Sequence, residues 1–126
     1  MDSIQTTDLG IAYHVALDEM LKGRGNEEHW STVVCALNIT LVLTERGYGA
    51  AFMPTAKAAL DGAVRARDRA RKCGKWGFDG DAISDVRYAI ALHDEQMRVA
   101  TKAVVLAALA EVHRRIDAGE AFKEAA

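Results

Sequence analysis

The chain has 126 residues, half of them apolar, and a formal net charge of −2. That is one domain's worth of sequence with enough apolar mass for a core, so neither disulfides nor a metal is needed to hold it together. Two cysteines, Cys35 and Cys73, exclude a disulfide framework, and the near-neutral balance excludes a surface that is basic throughout.

The opening residues, Met1-Asp2-Ser3-Ile4-Gln5, carry neither a basic nor an apolar stretch, so no secretory signal is expected. The longest apolar run, Val33 to Leu43, is interrupted by Asn38 and Thr40. It falls well short of the roughly 20 residues a membrane span needs, which predicts a cytoplasmic protein with no membrane partner. Abundant alanine, short β-branched runs and a single proline, Pro54, favour helix throughout.

The first helix is expected from about Thr7 to Lys22, with Leu9, Tyr13, Ala16, Leu17, Met20 and Leu21 as its stripe and Gly23 and Gly25 ending it. Asn26 then caps the second, whose first turn holds Glu27 and Glu28, where acids suit the helix dipole. That helix is apolar nearly all round, which predicts a central position, and Gly47 stops it. A third helix runs from about Ala51 to Cys73, with Pro54 in its first turn. Its inner side is read as Phe52, Ala56, Leu60, Ala63 and Ala70, and Gly74 closes it. Asp81 is expected to cap a fourth, continuing to about Ala118 with Ile83, Val86, Ile90, Met97, Val104, Ala108, Val112 and Ile116 on the 3.6-residue repeat.

A helix of that length would span roughly 55 Å and overhang a compact bundle. Either it kinks or a second chain covers it; the pattern is taken to favour a homodimer, with Val105, Leu109, Val112 and Ile116 at the oligomer interface. The expected fold is therefore all-α, a single-domain four-helix bundle over residues 1–126 with a long C-terminal helix.

The densest chemistry lies between residues 61 and 80. Residues 61–75 carry six cations against two acids, a net +4 that leaves −6 for the remainder. Arg65, Arg67, Arg69, Arg71, Lys72 and Lys75 lead into Gly74-Lys75-Trp76-Gly77-Phe78-Asp79-Gly80. Basic residues suit a helix C-terminus, and Asp61–Arg65 and Asp68–Lys72 have i,i+4 spacing, so a solvated helix end is one reading. The other is a partner-binding surface in which Trp76 and Phe78 stand beside guanidinium groups, as base stacking or an interface hot spot uses them. Alternatively the aromatics plug the end of the bundle. The glycines match no phosphate-binding motif.

No histidine is preceded by Glu at i−3, because His14, His29, His93 and His113 follow Ile11, Asn26, Ile90 and Ala110. Neither a di-iron nor a zinc signature is present, so no metal or cofactor is expected. His93 reads as a core histidine and Asn38 as a buried amide that sets register or bonds the backbone. No nucleophile elbow or acid pair points to an enzyme.

Ala36-Leu37-Asn38, the glycine–aromatic loop and His93-Asp94-Glu95-Gln96 together resemble a family of short phage and prophage proteins of proteobacteria, from about Trp30 to Gly119. Some members are described as Fis-like transcriptional regulators, which implies DNA binding. A helix-turn-helix needs a short recognition helix, however, whereas a long helix follows this loop. The expectation is a non-enzymatic interaction protein, phage-encoded, acting on a host protein or defence system. The alternative is a nucleic-acid-binding transcriptional regulator using the basic segment 65–75; an enzyme or small-ligand binder centred on His93 stands last.

Overall fold

The computed structural model describes residues 3–120, with side chains from residue 11 onward; Leu9 lies outside the described side chains. Among the described residues the chain forms five helices: α1 (Ser3–Leu21), α2 (Glu27–Glu45), α3 (Met53–Cys73), α4 (Gly80–Val99) and α5 (Lys102–Asp117). A 3-10 turn, Ala50–Phe52, leads into α3. No strand occurs among them, only one isolated antiparallel bridge between Gly25 and Trp76.

Local chemistry accounts for most boundaries. Asn26 caps α2 by accepting from the His29 amide at 2.8 Å, and the His29 ring returns the favour by accepting from the Asn26 amide. Pro54 sits in the first turn of α3, where its missing N–H costs nothing. Gly74 ends α3 at φ +77°, a left-handed conformation that only glycine adopts without strain, while its amide bonds Ala70 O at 2.7 Å. The cap of α4 is Asp79 rather than Asp81: its carboxylate accepts from the Ala82 amide at 2.8 Å, and Asp81 falls within the first turn.

α2 packs against each of the other four helices, the central place its all-round apolar sequence requires. One side joins Val33, Val34 and Leu37 to Met20, Leu60, Val86 and Ile90. The other presents Ile39, Val42 and Leu43 to Ala108 and Val112 of α5. Phe52 does not belong to the inner face of α3; it is 56 % exposed.

The long terminal helix is broken. Ala100 is extended at φ −79°, ψ 145°, and Thr101 starts α5 by accepting from the Val104 amide at 3.2 Å. Neither glycine nor proline marks the spot. The break lets Val104, Ala108, Val112 and Ile116 fold back on the far side of α2, and each well-buried aliphatic side chain contributes about 1.5–3 kcal/mol. Among the expected interface residues, Val112 is buried, and Leu109 and Ile116 are half-buried against Ile39, Val42 and Leu43. Val105 is half-buried as well. The overhang that called for a second chain is thus absent, because α2 of the same chain covers this stripe. The return is clamped by Arg115, which bonds Glu45 of α2 at 2.7 Å and Glu111 at 2.7 Å.

Candidate functional site

The basic segment is largely occupied with holding its own loop. Arg65 makes a two-pronged contact with Asp79, at 2.8 and 3.3 Å. That pairing, helped by the Ala82 amide, draws the Asp79 carboxyl down to about 2. Asp79 therefore ties α3 to the start of α4. Arg69 donates to Gly77 O, fixing the loop from the other side. Arg67 is only 5 % exposed and contacts Asp68 at 3.2 Å, so it forms no part of an open cationic surface. Arg71, Lys72 and Lys75 are exposed, with no ion pair to an acid among the described residues.

Trp76 and Phe78 are half-buried and pack on the core. The Trp76 ring lies 5.6 Å from that of Trp30, centroid to centroid, and Trp30 Nε1 donates to Ala63 O at 2.9 Å. Gly25 pairs with the Trp76 backbone, and a Cβ there would stand 2.7 Å from Trp76 O and 2.6 Å from Met20 Sδ. The aromatics close the end of the bundle where α1, α2 and α3 meet.

A second polar grouping is sealed inside. His93 is 1 % exposed; its Nδ1 lies 3.1 Å from Thr40 Oγ1, which itself donates to Ala36 O at 2.8 Å. With the hydroxyl proton committed, Nδ1 must be the donor, leaving Nε2 as a buried acceptor with no described partner. Burial draws the imidazole down to about 4 against an opposing pull from Asp94, so it is neutral at pH 7. Tyr13 meets it edge-on at 5.0 Å, and burial pushes the Tyr13 hydroxyl up to about 12. Asp94 turns outward to His14, at 2.6 Å. Gln96 spans the gap to the α2–α3 connection, donating to Thr40 O at 3.2 Å and Tyr48 O at 3.0 Å. Asn38 bonds Val34 O at 3.1 Å within its own helix. His93 and Gln96 thus orient α4 on α2 through Thr40, and all three are shut away from solvent.

The open surface lies elsewhere, along the seam of α3 and α4. Phe52, Thr55, Tyr88, Ala91 and Leu92 line a cleft of about 500 Å³. Next along the seam, Ala58, Asp61, Arg65, Asp81, Ser84 and Asp85 line another of about 450 Å³. Tyr88 is 70 % exposed. Sequence periodicity passes over this face because Tyr88 falls off the inner stripe of α4 and Phe52 was assigned to the core. An aromatic on the outward side of an amphipathic helix was the available signal. Among the described residues, no group of three His, Cys, Asp or Glu stands close enough to hold a metal ion. No described helix is long and apolar enough to cross a membrane.

Compared with known proteins, the chain matches no family model, no curated protein and no solved structure.

Proposed function

We propose that this chain is a non-enzymatic interaction protein that binds another protein through the outer face of α3 and α4. The observation carrying this reading is the apolar cleft around Phe52 and Tyr88, which are 56 % and 70 % exposed where a monomeric helical domain has no structural use for them. Grouped exposed aromatics are what protein contacts enrich. Its polar counterpart, the His93–Thr40–Gln96 group, is shut away from solvent, so acid–base chemistry has no accessible residue there. A phage origin, with a host protein or defence system as the target, rests on the resemblance of the 36–38, 74–80 and 93–96 segments alone.

Nucleic-acid binding is the second reading, favoured by Arg71, Lys72 and Lys75, which stand exposed at the C-terminus of α3. It has lost Arg65, Arg67 and Arg69 to contacts within the chain. Capture from host lysate, with and without nuclease, separates the two. A partner retained after nuclease supports the protein reading. Capture abolished by nuclease, with affinity falling about 0.9 log units per log unit of salt for each phosphate neutralised, defeats it.

A further inference from the structure

The seam between α3 and α4 changes character along its length. At one end Phe52, Tyr88 and Leu92 form an apolar wall. At the other, Asp61, Asp81 and Asp85 gather around Arg65. That arginine is already paired with Asp79, so its charge is spent locally and the acids leave this end negative. Asp61 and Asp81 both act on Arg65 electrostatically, which puts them within one shared field.

Between the two ends the rim is small: Ala58 on α3 and Ser84 on α4. Beneath it the helices approach closely, since a Cβ on Gly62 would lie 2.6 Å from Ala82 Cβ. A large side chain at any of these positions would raise a ridge; their absence leaves a channel over two antiparallel helices. From Thr55 to Asp61, or from Leu92 to Asp85, six or seven residues rise about 9–10 Å along the axis.

We infer that this channel receives an amphipathic helix of a partner protein, with a large apolar side chain seated between Phe52, Tyr88 and Leu92 and Lys or Arg six to eight positions away facing Asp81 and Asp85. The inference rests on the interaction reading above and adds the partner's chemistry to it. Charge complementarity selects the occupant: an acidic helix would be repelled at one end, and an all-polar one would leave the apolar wall wet. Nucleic acid is excluded from this face by the same three carboxylates, whose field opposes phosphate. Arg87 lines a neighbouring recess made only of α4 residues, which shares Ser84, Tyr88 and Ala91 with the channel but none of its three carboxylates.

The test is a display library of helical peptides randomised at the inward positions and selected on the full chain. Tyr88→Asp and the pair Asp81→Lys/Asp85→Lys serve as comparison proteins. Tyr88 is exposed on the outer side of α4, so the circular dichroism and melting of Tyr88→Asp are expected to match the wild type, whereas Asp81→Lys/Asp85→Lys replaces a first-turn acid of α4 beside Arg65 and is expected to keep the helical spectrum with a somewhat lower melting temperature. The expected result is enrichment of peptides with an aromatic or long aliphatic anchor and Lys or Arg six to eight residues from it. Their affinity should fall about tenfold or more on Tyr88→Asp, the loss typical of an interface anchor. On Asp81→Lys/Asp85→Lys the selected peptides should switch to Asp or Glu at those positions. No enrichment, peptides indifferent to Tyr88→Asp, or peptides without a charge preference would each overturn the assignment. Lysate capture that persists with Tyr88→Asp overturns the channel while leaving the interaction reading standing, so the two fail separately.

Discussion

Mild acidification, down to pH 5, should weaken this fold chiefly through one residue. His93 is drawn to about 4 in the folded chain by burial, whereas an unfolded histidine titrates near 6.5. The unfolded chain therefore takes up the proton first. Stability is complete above pH 6.5, declines as the pH falls, and the loss saturates once the pH is below 4. The full difference corresponds to about 3 kcal/mol, and about 2 kcal/mol of it should be gone by pH 5. For a domain whose total stability is of order 5–15 kcal/mol, that is a large share. The structural cause is specific: a proton on Nε2 would be a buried donor with no described acceptor, beside the edge-on ring of Tyr13. The assay is urea unfolding followed by tryptophan fluorescence from pH 8 to pH 5, on the wild type and on His93→Gln. His14, His29 and His113 remain in both, so the difference in slope isolates His93. The variant should lose a linkage that grows from about half a proton at pH 6.5 to nearly one at pH 5. The carboxylates Asp79 and Glu111, both held near 2 mainly by arginine partners, weaken the fold only at lower pH and stay out of this window. Equal slopes, or a His93 imidazole resonance that titrates near 6.5 in the folded protein, would refute the reasoning.

Gly62→Val should destabilise by roughly 1–3 kcal/mol, because even its Cβ meets Ala82 at 2.6 Å; an unchanged urea midpoint would show that α3 and α4 separate freely. Trp76→Ala should cost about 2 kcal/mol and lower the melting temperature, as it opens the contact with Trp30. Unchanged melting would return Trp76 to the class of exposed binding residues. Leu109→Glu should detach α5 from α2 and reduce helicity while the packing of α1 to α4 persists, since Leu109 packs on the cluster that joins α5 to Ile39, Val42 and Leu43 and not on the larger core of α1 to α4. Far-UV circular dichroism and amide exchange on α5 would check it, and α5 amides as protected as in the wild type would count against it.

The helical class, the central place of α2 and the turns at Asn26, Pro54 and Gly74 were legible in the chain because each depends on contacts within a few residues. Capping, the proline exception and the left-handed glycine are local chemistry, and an all-round apolar helix has only one kind of environment open to it. The break at Ala100 was not legible. Thr101 can cap a helix but is also tolerated inside one, no glycine or proline forces the stop, and only the apolar face of Ile39, Val42 and Leu43, some sixty residues earlier in the chain, rewards turning back. The basic segment misleads for a related reason. Spacing pairs Arg65 with Asp61, yet the fold pairs it with Asp79, fourteen residues on, and turns Arg67 inward. A run of like charges shows how many cations are present; which of them face solvent depends on the carboxylates and carbonyls that the loop brings alongside. The channel between α3 and α4 belongs to the same category, since Phe52 and Tyr88 lie far apart in sequence and become one surface only when the two helices pair.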